Sequence, residues 1–407
     1  MSLNDVVSAD RVHIGFFGMR NAGKSSVVNA VTGQSLSVVS DVKGTTTDPV
    51  KKSMELLPIG PVVIIDTPGF DDEGKLGELR VQKTKEVLNQ TDIALLIVDG
   101  SVGLSAQDKE LLGIFKERNV PYLIVWNKSD LSDSMTDVGQ IEDADKVMKV
   151  SALTKDGIYE LKERIGTFAK ENKKEERFLV VDLLEKGDFV VLVVPVDESA
   201  PKGRLILPQQ QVMRELLDYH YAFVTCQDTD LTETLCKLNE KPKLIITDSQ
   251  AFERVAKDTP SNIMLTSFSI LMARYKGGLK QQILGARKLS TLKDSDTVLI
   301  SEGCTHHRQC KDIGTVKMPG WIEAFSNSKP EYRFTSGGEF PEDLTGIDLI
   351  VHCGGCMLNE NQMKSRVQSA VKAKVPIVNY GIAIATMHGI LERSLEPFPD
   401  MLKLLQN

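Results

Sequence analysis

Two groups of residues have types and spacings that could do chemistry. The first is Gly18-x-x-x-x-Gly23-Lys24-Ser25, which opens "GMRNAGKSS" and runs through Asn21, Ala22 and Ser26. Glycines at this spacing let backbone N–H groups curl around phosphate oxygens. A lysine reaches the terminal phosphates, and a hydroxyl holds Mg²⁺. The second group is Cys304-Thr-His306 and, much later, His352-Cys353-Gly-Gly-Cys356. Two glycines between thiols allow a tight loop that turns both sulfurs toward one centre. A lone CxxC is weak, but CxH and HCxxC together are metal-ligand spacing.

Further elements follow the phosphate loop in order. "DTPG" places Asp66 and Gly69 after an apolar run, suited to a water-mediated Mg²⁺ contact and to an amide facing the terminal phosphate. "NKSD" places Asn127, Lys128 and Asp130 after another run. A carboxylate there accepts from guanine N1–H and the 2-amino group, and adenine would leave it unpaired. "VSAL" adds Ser151 and Ala152. These elements predict GTP binding and hydrolysis, with Lys24, Ser25, Asp66 and Gly69 in the catalytic set. For the cysteine site, zinc would accept three Cys and a His, and an iron–sulfur cluster would accept three thiolates with an exchangeable fourth position. Spacing alone leaves both open.

The elements that must position these groups are strands and helices in alternation. "RVHIGFFG", "GPVVIIDTPG", "DIALLIVDG" and "PYLIVWNKSD" are continuous apolar runs of the kind a parallel sheet covered on both faces requires. The chain is thus expected to be α/β: a P-loop GTPase domain (1–172), a small α/β dimerisation domain (178–265) and an α/β metal-binding domain (266–407). In the second segment, "RFLVVDLLEKGDFVVLVVPV" suggests two strands about a turn at Lys186–Asp188. The Val-rich second strand is either fully internal or a sheet edge covered by a partner chain, and the edge is the expected reading in so small a domain. Both cysteine groups follow apolar strands, where open α/β sheets place sites.

Bulk properties bound the rest. The 407 residues suit two or three domains, and 41% hydrophobic content supports ordinary cores. A net charge of −7 gives no global attraction for nucleic acid. No signal peptide or stretch long enough to span a bilayer is expected, so a cytoplasmic chain without a membrane partner is anticipated. Six cysteines are too few for a disulfide scaffold in a chain of this length. Cys226 and Cys236, in strand- and helix-like stretches, are expected to be core thiols, and Cys310 and His307, outside the motif, are expected to be structural. His13, His220 and His388 are expected to be packing or surface residues. The "KGGLKQQ" stretch at 276–282 could meet an acidic ligand, but a solvated helix face is the expected reading.

The phosphate-site elements resemble the TrmE/Era branch of GTPases. "GTTTD" at Gly44–Asp48 resembles that branch's first switch, with Thr46 as the Mg²⁺-sensing residue beside Thr45 and Thr47. Asn21 resembles the asparagine that binds K⁺ in cation-dependent members. Phe70 stands where many GTPases carry glutamine, so another group, for instance Asp71, Asp72 or Glu73, would position the water. With the C-terminal CxH…HCxxC, the whole chain resembles the [FeFe]-hydrogenase maturation GTPase family. That resemblance implies a [4Fe-4S] cluster on Cys304, Cys353 and Cys356, with His306 or His352 as fourth ligand or supporting donor. It also implies a homodimer that carries a diiron subcluster precursor, works with two radical-SAM maturases and delivers to apo-[FeFe]-hydrogenase. The competing expectation is a ribosome- or tRNA-directed GTPase with a structural zinc.

Overall fold

The apolar runs fold as parallel strands in a computed structural model that describes residues 11–33, 49–67, 83–131, 143–172, 177–196, 205–303 and 312–406. The chain divides into two compact units, residues 1–175 and 176–407.

In the first unit, β1 (Val12–Phe17), β2 (Val50–Leu56), β3 (Gly60–Asp66), β4 (Ile93–Asp99), β5 (Tyr122–Asn127) and β6 (Val147–Lys149) form one sheet in the order β2-β3-β1-β4-β5-β6. All neighbours are parallel except the β2–β3 hairpin. Successive side chains on a strand face opposite ways, so Phe16 and Phe17 enter separate cores. One core packs Val27 and Val31 of α1 (Lys24–Thr32) with Leu161 and Ile165 of α3 (Ile158–Glu171). The other packs Leu111 and Phe115 of α2 (Ala106–Glu117). Both faces are covered, which is why the runs lack alternation. The strand order reverses at β1, between β3 and β4, the position where such sheets bind ligands.

The second unit holds two four-stranded sheets, parallel throughout. The first contains β7 (Phe189–Val193), β8 (Ala222–Cys226), β9 (Leu244–Thr247) and β10 (Met264–Ser267), ordered β10-β9-β7-β8. The Val-rich strand β7 is therefore internal, paired with β8 and β9, and the expected edge position is wrong. Its five residues form a continuous apolar run because neighbours and helices cover it. The edge strands are β10 and β8, and the side chains of β8 are exposed or half-buried.

Residues 178–185 are not a strand. Their apolar content is buried by a 3₁₀ turn at Val181–Leu183 instead. The Glu215 carboxylate of α4 (Leu207–Asp218) accepts from the backbone N–H groups of Leu179, Val180 and Val181 at 2.8, 2.8 and 3.0 Å. A side chain thus replaces the ladder these amides would need. Glu215→Ala is expected to cost about 3 kcal/mol by stranding these donors. Urea unfolding of the second unit's signal measures it.

The other sheet contains β11 (Thr297–Ser301), β12 (Glu331–Thr335), β13 (Leu349–His352) and β14 (Ile377–Asn379), ordered β12-β11-β13-β14. A single buried cluster runs from Val190 and Ile245 of the first sheet to Val298 and Val351 of this one. Register aligns Thr335, Ser301, His352 and Asn379 in one row at the carboxyl ends. The order reverses between β11 and β13, directly before the two cysteine groups. Among the described residues no helix is long and apolar enough to cross a membrane.

Candidate functional site

The phosphate loop is built by backbone conformations that few residues adopt. Gly18 has φ 139°, and a Cβ there would lie 2.2 Å from the Ile97 carbonyl oxygen, so only glycine fits. Asn21, exposed, is left-handed at φ 61°. Gly23 precedes α1, whose first residues are Lys24, Ser25 and Ser26. The helix N-terminus therefore faces the loop, the arrangement an anion site uses. Lys24 is buried, and its Nζ donates to the carbonyls of Gly18 (3.0 Å) and Met19 (2.9 Å).

Ser25 Oγ donates to Asp66 Oδ2 at 3.0 Å, so the two expected Mg²⁺ groups meet across 41 positions of sequence. Asp66 Oδ1 is buried with no hydrogen-bond partner among the described residues. A buried carboxylate oxygen left over beside a serine hydroxyl fits a hydrated Mg²⁺, which takes oxygen ligands and keeps several waters.

The residues expected to recognise the base are tied together by Asn127 at the end of β5. Its Nδ2 donates to the Ala22 carbonyl at 2.9 Å, and its Oδ1 accepts from the Ala152 amide at 3.0 Å. One buried side chain thus ties the phosphate loop to the 150–153 segment. Asp130 is exposed, and its Oδ1 accepts from Ser151 Oγ at 2.5 Å, which fixes the carboxylate's orientation. Lys128, at φ 64°, lays its Nζ on Asp99 Oδ2 at 2.5 Å. Burial would raise the Asp99 carboxyl, but hydrogen bonds from Lys128 and Ser101 outweigh it and hold it below its usual range. Thr46, Gly69 and their neighbours Thr45, Thr47, Phe70, Asp71, Asp72 and Glu73 lie outside the described residues.

In the second unit, Cys353 continues β13, its N–H bonding Ser301 O at 3.0 Å. Its Sγ accepts from Gly303 N–H (2.9 Å) and Gly355 N–H (3.4 Å). Gly355 is left-handed at φ 61°, the turn that brings its amide back to the sulfur. The loop ends at α10 (Glu360–Lys372), where Asn359 and Gln362 form a reciprocal cap. Burial, with Cys356 beside it, pushes the Cys353 thiol up to about 11. Burial also raises Cys356, against the pull of Lys276. Amide donors on a sulfur and nearby cations are what thiolates need when a metal replaces their protons. Cys304, His306, His307 and Cys310 lie outside the described residues, and no cluster of three or more metal-type ligands occurs among the described ones.

His352 is fully buried with both ring nitrogens engaged. Nε2 lies 2.8 Å from Arg366 Nη1, and Nδ1 lies 2.6 Å from Cys353 O. A guanidinium can only donate, so Nε2 accepts and Nδ1 carries the proton. Burial, and then Arg366, push its pKa down to about 3, so the ring is neutral.

Two residues that spacing did not single out complete this site. Arg366 has no motif to mark it. Lys276 sits in the stretch expected to be solvated, yet it is 6% exposed and donates to the Gly355 and Leu358 carbonyls. Gln282 of the same stretch is also buried, whereas Lys280 is exposed as expected. The cue for Lys276 was its place at the end of an apolar helix, α7 (Phe268–Tyr275), just before two glycines. Cys236 is exposed rather than a core thiol, and Cys226 is half-buried on edge strand β8. His13 packs at 5% exposure beside Asp92.

Comparison with known proteins divides the chain similarly. The family model for 50S ribosome-binding GTPases matches residues 13–128. Those for the hydrogen maturase F dimerization and tetramerization domains match residues 179–277 and 280–397. The tRNA modification GTPase MnmE of Desulforamulus reducens is 32% identical over 160 residues, 38% of this chain and 34% of that protein. GTPase Der of Kosmotoga olearia is 34% identical over 127 residues, 30% of this chain and 28% of that protein. The chain thus spans about a third of the length of the curated relatives it matches. The solved structure of Aquifex aeolicus Era bound to GDP·AlF4− has a TM-score of 0.36 at 18% identity, covering 53% of this chain and 91% of that one. The relatives speak for a GTPase domain that takes GTP and Mg²⁺. The two maturase models account for most of residues 179–397, so the chain belongs to the hydrogen maturase F family.

Proposed function

We propose that the chain is a GTP-hydrolysing, [4Fe-4S]-binding scaffold that carries the diiron subcluster precursor and delivers it to apo-[FeFe]-hydrogenase. The observation that carries this reading is the Cys353–Cys356 loop. It sits at the carboxyl end of adjacent parallel strands, with backbone amides on sulfur and two buried cations close by. In this reading Cys304, Cys353 and Cys356 hold the cluster. His306 is the histidine available as fourth ligand, because both nitrogens of His352 are already committed. A cluster there supplies an iron site that can exchange its outer ligand.

Around the nucleotide, Lys24 and the loop amides bind the phosphates, Ser25, Asp66 and Thr46 hold Mg²⁺, and the Gly69 amide faces the terminal phosphate. Asn21 takes K⁺, whose charge offsets that developing in the transition state, so K⁺ stimulates a turnover that is otherwise slow. Asp130 selects guanine. The working chain is a cytoplasmic homodimer built through residues 178–265, with the cluster domain at 266–407 and the GTPase domain at 1–172. Two radical-SAM maturases load it, and neither nucleic acid nor membrane takes part.

The test is delivery. Chain co-expressed with the two maturases is purified anaerobically and mixed with apo-hydrogenase lacking its diiron subcluster. Hydrogen evolution should appear in proportion to added chain. None, from chain carrying iron beyond the [4Fe-4S] complement, contradicts the carrier role.

A further inference from the structure

Arg366 is 4% exposed, and its guanidinium is spent on neutral groups. Nη1 donates to His352 Nε2 at 2.8 Å and to Ser301 Oγ at 3.3 Å, Nη2 donates to Gly337 O at 2.7 Å, and the guanidinium lies 5.2 Å from the centre of the Phe340 ring. Among the described residues no carboxylate forms an ion pair with it. A buried charge without a counter-charge is costly enough that proteins rarely keep one. Its three partners lie at or just past the carboxyl ends of β13, β11 and β12, so one side chain pins the strand ends that lead into both cysteine groups.

We infer that Arg366 is a positioning residue and the counter-ion of the cysteine site, its fixed positive charge balanced by the anionic thiolate-held cluster rather than by a protein carboxylate. The inference rests on the iron–sulfur reading above. The buried guanidinium sits one residue from Cys353, through His352, where little water screens it. It stabilises the reduced, more negative state of the cluster over the oxidised one. It also fixes His352 with Nε2 turned to the guanidinium, which keeps that ring from ligating iron.

The experiment compares wild type, Arg366→Lys and Arg366→Gln after anaerobic reconstitution, with iron and sulfide analysis and an EPR-monitored redox titration. At the wild-type midpoint potential, the reduced-to-oxidised ratio should fall on the order of tenfold in Arg366→Gln and stay near wild type in Arg366→Lys. Loss of cluster in Arg366→Gln with retention at near wild-type potential in Arg366→Lys also supports the charge requirement. Equal potentials in wild type and fully loaded Arg366→Gln overturn the inference. So does cluster loss in both variants, which would make the guanidinium's shape the only requirement. Wild type that takes up no iron and sulfide would instead contradict the iron–sulfur reading itself.

Discussion

Lys24→Ala is expected to abolish GTP hydrolysis, by on the order of a thousandfold or more, while iron and sulfide remain at wild-type levels. Lys24 is buried at the start of α1, and its Nζ closes the loop onto the Gly18 and Met19 carbonyls. Alanine removes both the charge proposed to meet the terminal phosphates and the clasp on the Gly18 and Met19 carbonyls. Removing a preorganised donor of this kind commonly costs a hundredfold or more, and here binding geometry goes with it. The cysteine site belongs to a different compact unit with its own core, so nothing in its support depends on Lys24. Phosphate release and iron content, measured on one preparation, check both halves. Loss of the cluster would contradict separable sites.

Cys353→Ser is expected to do the reverse. Hydrogenase maturation should fall to background and bound iron should drop severalfold or more, with GTP turnover unchanged. Serine keeps the shape of the side chain but substitutes a smaller hydroxyl that stays protonated and binds iron poorly where a thiolate would ligate. The Gly303 and Gly355 amides would then aim at an oxygen too small to meet both. Maturation near wild-type levels would remove Cys353 from the cargo site.

How much of this the sequence makes legible depends on whether a residue's role is local. Strands β1, β3, β4, β5 and β7 follow from apolar runs that only two-sided burial requires. The nucleotide residues follow from loops at strand ends, and Ser25 meets Asp66 as their motifs imply. Strand β2, "VKKSMEL", is mostly exposed with two lysines on an edge, so its polar content hides it. The edge strand β12 is hidden for the same reason. Segment 178–185 looks like a strand because it is apolar, and its fold is decided by Glu215, more than thirty residues away. Arg366 and Lys276 are invisible because a charged residue on a helix is ordinarily solvated. Only the tertiary fold turns them inward, onto strand ends and loop carbonyls that the sequence places far from them.

The most direct measurement is anaerobic reconstitution of the full chain with iron and sulfide, followed by metal and sulfide analysis and EPR after reduction. About four irons and four sulfides per chain, with an S = 1/2 signal, are predicted. One tightly held zinc per chain and no reconstitutable cluster would contradict the account. The Cys353–Cys356 loop would then be a structural zinc site on an RNA-directed GTPase.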